Sequence, residues 1–228
     1  MSAYIFDTET TGAQQADIIE AAWLQIDNPT NMQVMRQFEQ RYKPRHPNTL
    51  GALAVHHIYD EELEHCPPCT DFSFPADAQY MIGHNIDYDW NMAGQPQVKR
   101  ICTLALSRML LPKLDSHSQS ALMYYFFRPH ARERLKSAHS ALADVQNCMY
   151  ILRELMLLLP SPVTSWEELW EQSELARLPR VMPFGKHRGV PIAELPVDYQ
   201  EWVLRQEDMD PYIKLAIQKQ KAANHTPT

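Results

Sequence analysis

The sequence predicts an α/β protein, a mixed sheet flanked by helices, with a small, mainly helical module behind it. Three observations carry that expectation. Three β-branched and aromatic runs open the chain with short turns between them, the pattern of an antiparallel meander. Two later apolar runs each pass directly into a helix-forming stretch. A long segment near residue 150 spaces its apolar residues by four and three, as a helix lying on a sheet does.

The elements follow in order. Ala3 to Thr10 is the first strand, ending in a Thr-Gly turn, and Ile18 to Ile26 is the second. Asn28-Pro29-Thr30-Asn31 marks a turn, and Val34 to Tyr42 is the third strand, closed by Lys43-Pro44. Short helices are expected near Leu50 to Val55 and Asp60 to Glu64. Tyr80 to Gly83 is a brief strand leading into a helix over Asn85 to Ala93, with Asn85 as its cap. Val98 to Cys102 is a further strand, and Pro112 closes the helix that runs from Thr103 to Leu111. Ser118 to Phe127 is helical, with Tyr124 to Phe127 read as core, and Arg128 to Lys136 is read as a flexible basic loop. The longest helix runs from Ser140 to Leu158. Pro160-Ser161-Pro162 then breaks the chain, which places a domain over residues 1–160 and a module over residues 166–222.

Composition narrows the function classes. Of 228 residues, 28 are acidic and 21 basic, a formal net charge of −7, and the 45% apolar fraction is that of a globular protein. Six glycines form neither GxGxxG nor GxxxxGK[ST], so no nicotinamide or nucleoside-triphosphate cofactor is expected. No run approaches the ~20 apolar residues of a membrane span. Asp7 interrupts the opening apolar run, so no signal peptide is expected there. Four cysteines are too few for a secreted disulfide scaffold, which points to the cytoplasm. Cys66-Pro67-Pro68-Cys69 has the look of half a zinc site without its second pair. Taken alone, the acidic balance argues against nucleic acid as a partner.

Three short constellations carry chemistry. Asp7 and Glu9, two apart on a strand, share a face; they mark either a solvated strand end or a site for a hard cation such as Mg²⁺ or Mn²⁺. His84-Asn85-Ile86-Asp87-Tyr88-Asp89 stands at a strand-to-helix junction, where acids also complement a helix dipole. In His139-Ser140-Ala141-Leu142-Ala143-Asp144 the two outer residues would lie about 140° apart on one regular helix. They meet only if His139 precedes the helix, with Ser140 as its N-cap, and Asp144 lies one turn inside.

In this order, Asp7-Thr8-Glu9, His84-Asn85-x-x-Tyr88-Asp89 and His139-x-x-x-x-Asp144 resemble the DEDDh 3′–5′ exonucleases, the DnaQ-like branch of the RNase H-like fold. The likeness covers residues 1 to 160, with Ile18-Ile19-Glu20 and Ile101-Cys102-Thr103 also matching family positions. Phe184-Gly185-Lys186-His187-Arg188-Gly189, with Pro191, Leu195 and Trp202, resembles the module carried by the exodeoxyribonuclease X group of that family. One departure is Ala13, where members usually carry a leucine that wedges against the terminal base. Stacking of that base is then weaker here or supplied by another residue.

The resemblance implies two divalent ions, Mg²⁺ or Mn²⁺, held by Asp7, Glu9, Asp89 and Asp144, with His139 as general base. It implies that Glu9 also touches the terminal 3′-hydroxyl, alongside groups near Thr10 and Gly12, and that Asn85 and His56 lie at the substrate, with a structural histidine as the equal alternative for His56. The expected activity is removal of nucleoside 5′-monophosphates from DNA 3′ ends, in repair or end trimming. The alternatives are an exoribonuclease or oligoribonuclease acting on RNA, and a non-catalytic nucleic-acid adaptor. Arg128, Arg132, Arg134 and Lys136, with Lys186 and Arg188, are candidate contacts for a phosphate backbone.

Overall fold

β1 (Ser2–Thr10) is the middle strand of the sheet, and its near-continuous run of small, apolar and aromatic residues reflects burial on both faces. The computed structural model describes residues 2–13, 15–137 and 139–224. β2 (Ile18–Ile26) runs antiparallel to β1, placing Glu9 opposite Glu20, and β3 (Val34–Arg41) runs antiparallel to β2. On the other side β4 (Ala78–Gly83) joins β1 in parallel and β5 (Lys99–Cys102) joins β4 in parallel. The order is β3-β2-β1-β4-β5, a mixed sheet. β3 is the exposed edge, and its Arg36, Glu39 and Arg41 discourage pairing with another chain.

Helices cover the sheet. They are α1 (Leu50–His56), α2 (Asp87–Met92), α3 (Thr103–Leu110), α4 (Gln119–Arg134), α5 (Ala141–Leu157) and α6 (Trp166–Arg177). α5 lies across β1 and β2, burying Ala141, Val145, Cys148, Leu152 and Leu155. On one face Tyr4 and Phe6 join Trp23, Met81 and Ile86 in a core cluster, with Tyr4 edge-on to Trp23 at 5.1 Å. Where β4 ends, an added Cβ on Gly83 would lie 2.6 Å from Ile86 Cδ1 and 2.9 Å from the Phe6 carbonyl oxygen. Gly83→Ala should therefore destabilise the protein by about 1–3 kcal/mol, read as a lower urea midpoint at unchanged slope.

Four expectations are corrected. Asn85 does not cap a helix: it takes a left-handed φ of 64°, and α2 starts at Asp87 after the N-cap Ile86. Asn tolerates that conformation better than most residues. Arg128 to Arg134 is not a loop but the second half of α4, and residues 135–137 continue it as a 3-10 turn. The helix kinks at Phe127, just before Pro129, whose ring and missing N–H disrupt the turn before it. Tyr124 and Tyr125 are exposed, at 47% and 52%, because Leu122, Met123 and Ala131 take the buried side of α4.

The fourth concerns the boundary. The compact units divide between Ser173 and Glu174, inside α6, and not at Pro160. The first turns of α6 are tied to the sheet domain: Tyr80 donates to Glu167 at 2.7 Å, and the Cys102 N–H donates to Ser173 Oγ at 2.8 Å. The second unit adds 3-10 turns at Gly185–His187 and Ile192–Glu194, then α7 (Val197–Arg205) and α8 (Pro211–Asn224). Met182, Ile192, Leu195, Val203, Ile213 and Ile217 form its own core. No helix among the described residues is long and apolar enough to cross a membrane.

Candidate active site

Strand alternation builds the site. The side chains of Asp7 and Glu9 project to one face of β1 and that of Thr8 to the other, the face of Tyr4 and Phe6. Thr8 meets α2 there: its backbone N–H and hydroxyl both donate to Asp89 Oδ1, at 3.0 and 2.7 Å. One strand end thus presents two carboxylates and fixes a third. Tyr88, the neighbour of Asp89, braces the following turn, with its hydroxyl 2.6 Å from Thr10 Oγ1 and donating to the Gly12 carbonyl at 2.9 Å.

The fourth carboxylate comes from α5. His139 lies before the helix with a left-handed φ of 66°, and its backbone N–H donates to Asp144 Oδ2 at 3.1 Å. This places His139 on the loop and Asp144 one turn inside. Ligand atoms of Glu9, His139 and Asp144 lie within 4.8 Å of one another. Ser140 occupies the N-cap position, but its side chain makes no capping bond. Glu20 of β2 does the capping: its Oε2 accepts from the Ala141 N–H at 2.8 Å while Oε1 accepts from Arg41 at 2.9 Å. A carboxylate is favourable at this positive end of the helix. Gln119, at the start of α4, is among the groups that pull Asp144 down against its burial.

The electrostatics call for cations. Burial, then Asp89, Asp144 and the other acids, hold Asp7 well above the usual carboxylate range. Burial, followed by Asp144, Glu20 and Asp89, pushes Glu9 up to about 9. Burial raises Asp89 to about 7 against the pull of the Thr8 hydrogen bonds. Asp144 is also raised by burial, with His139 opposing. The largest influences on Asp7 and Glu9 all act in one direction, so an all-oxygen donor set, buried at Glu9 and Asp89 and half-buried at Asp7 and Asp144, lacks counter-charge there. Such a set fits Mg²⁺ or Mn²⁺.

The other predicted residues lie as follows. Thr10 and Gly12 form the braced turn at the end of β1, where the Thr10 hydroxyl donates to the Gly12 carbonyl at 3.0 Å. Asn85 is exposed on the turn into α2. His56 is only 6% exposed; its Nδ1 accepts from the Ile58 N–H at 3.0 Å, and its buried Nε2 has no hydrogen-bond partner among the described residues. It closes α1, with its basicity lowered first by burial and with Glu20, the cross-strand partner of Glu9, among the charges that act on it. Sequence reasoning gave no role to Thr8, Tyr88, Glu20 or Gln119. Period-two alternation pointed at Thr8, and Tyr88 and Glu20 stood within the motifs of the resemblance; Gln119 acts across the fold and left no local signal.

Residues 4–152 match the model of a family described as exonuclease. A second family model, named for a quorum-sensing-regulated virulence factor, matches residues 171–214. No curated protein sequence matches the chain. Among solved structures, Exonuclease X in complex with 5′ overhanging duplex DNA is similar over 75% of this chain and 99% of that one, at 22% identity and a TM-score of 0.60. E. coli Exonuclease I in complex with a dT13 oligonucleotide is similar over 70% of this chain and 42% of that one, at 17% identity and a TM-score of 0.56. The chain thus spans less than half of Exonuclease I, and at these identities the likeness is one of fold. With the match over residues 4–152 and Asp7, Glu9, Asp89, Asp144 and His139 gathered at one end of β1, the chain belongs to the exonuclease family, in its DEDDh, DnaQ-like branch.

Proposed function

We propose that the chain is a metal-dependent 3′–5′ exodeoxyribonuclease that releases nucleoside 5′-monophosphates, acting in DNA repair or end trimming. The observation that carries this reading is the convergence of four carboxylates from β1, α2 and α5, those of Asp7 and Glu9 without counter-charge, on a histidine that leads into α5. Two divalent cations held by Asp7, Glu9, Asp89 and Asp144 would supply charge stabilisation at the attacking and leaving oxygens.

The remaining work falls to this chain's own residues. His139 accepts the proton of the attacking water. Its place beside Asp144 is set by the hydrogen bond from its own N–H and by Glu20 capping α5. Thr8 fixes the rotamer of Asp89. Glu9 reaches the terminal 3′-hydroxyl, and backbone groups of the Thr10 to Gly12 turn, held by Tyr88, seat the terminal nucleotide. DNA is preferred as substrate because a fold neighbour covered almost to its full length is described in complex with duplex DNA.

The test uses 5′-labelled single-stranded DNA, duplex DNA and RNA of matched sequence. We expect shortening from the 3′ end in single-nucleotide steps with Mg²⁺ or Mn²⁺, complete loss in EDTA, and faster turnover of DNA in competition. Faster turnover of RNA would make the protein an exoribonuclease. Binding of every substrate without cleavage would make it an adaptor.

A further inference from the structure

The second unit contains a cleft for which the nuclease centre has no use. Phe184, Gly185, Lys186, Asp198, Tyr199 and Trp202 line 540 Å³ of space, within the ~300–1,000 Å³ usual for ligand sites. Tyr199 and Trp202 stand one turn apart on α7 with stacked rings, their centroids 5.4 Å apart and their planes 24° apart. Tyr199 packs into the core of the unit, whereas Trp202 and Phe184 remain 44% and 43% exposed. The Lys186 ammonium lies 5.5 Å from the centre of the Tyr199 ring, and Arg188 is exposed two residues along. From Glu174 onward the chain has eight Lys and Arg against seven Asp and Glu, a net of +1, although the whole chain carries −7.

We propose that this cleft binds single-stranded nucleic acid, with an unpaired base laid on Trp202 and the adjoining phosphate beside Lys186. Nearly parallel rings form a ledge that a further flat ring extends, and stacking tolerates any base. A cation at the rim supplies the charge that a phosphate needs. The same aromatic types also build cages for quaternary ammonium groups. Here Lys186 already stands against Tyr199 and repels a second cation, and the Tyr199 and Trp202 rings lie flat together. Asp198 is the one acid lining the cleft.

The full chain is tested in EDTA, where cleavage is silent, so the result does not depend on the nuclease reading. Anisotropy of a labelled oligo(dT) should show about 10-fold weaker binding for Trp202→Ala and most of that affinity restored in Trp202→Phe. Lys186→Gln should flatten the dependence of log K on log salt by about 0.7. Irradiation of a 5-iodouracil oligonucleotide bound to the wild-type chain should cross-link residues between Phe184 and Trp202, a readout that needs no variant to fold. Wild-type affinity in both Trp202→Ala and Lys186→Gln, or cross-links confined to the first unit, would overturn the proposal. Trp202-dependent binding of a trimethyl-lysine peptide, with no binding of the oligonucleotide at this cleft, would also overturn it.

Discussion

Replacing His139 with Asn should lower kcat for 3′-terminal nucleotide release by about 10²–10⁴-fold, the usual contribution of a general base. Asn is the informative substitution because His139 holds a φ of 66°, a conformation that Asn accepts more readily than Ala. The backbone N–H that meets Asp144 is kept, so the carboxylate should stay in place and Tm should not change. Replacing Asp89 with Asn should abolish turnover for another reason. The Asn carbonyl still accepts from Thr8, so the fold survives, but one anionic ligand is gone. Its stability signature has the opposite sign. At pH 8 metal-free Asp89→Asn should melt above the wild type, because a carboxylate whose ionised form is disfavoured first by burial and also by Asp144 has been replaced by a neutral amide. The rise in Tm on adding Mg²⁺ should shrink. Calorimetry with and without EDTA, beside a single-turnover assay, reads both; unchanged turnover in either variant would remove the assigned role.

The second large effect is on stability against pH. Glu9 titrates at about 9 and Asp89 at about 7 in the folded metal-free chain, against about 4 for unfolded carboxylates. Between those limits the native state holds more protons than the unfolded state, so stability falls as pH rises. The contribution is fully present below pH ~4 and is lost through about 7 and then about 9. Metal-free protein should therefore melt lower at pH 9 than at pH 6. Mg²⁺ or Mn²⁺ should raise Tm by an increment that grows with pH, because the cation displaces those protons. Asp17 acts in a separate, acidic window. Burial raises it, but hydrogen bonds from Arg45 and His46 outweigh that and leave it below its ordinary value, so its contribution is lost only as pH falls through that lowered value. A Tm that rises steadily from pH 6 to pH 9 without metal would contradict the carboxylate cluster.

Much of the fold and site was legible wherever the signal was local. Alternation along Ala3 to Thr10 put Asp7 and Glu9 on one face, and helix geometry showed that His139 had to precede α5. The basic stretch from Arg128 to Lys136 was misread because Pro129 and a dense run of charge are loop signals. Ala131, fully buried beneath it, holds the segment helical. Asn85 was misread because Asn serves both as a cap and as a left-handed turn residue, and only the path from β4 into α2 distinguishes them.

By itself, then, the sequence determined which acidic and histidine side chains could meet at one site and the order of the strands along the chain, which depend on residue type and on periods of two and 3.6, and its spaced motifs pointed to the family. Tertiary structure decided what holds the site in position. Thr8 fixes Asp89 across 81 residues, and Glu20 caps α5 across 121. It also decided where the two units part, because tethers of α6 such as Ser173 to Cys102 are contacts between distant segments. A hydrogen bond between such segments depends on how the sheet and helices pack, and no local pattern encodes that.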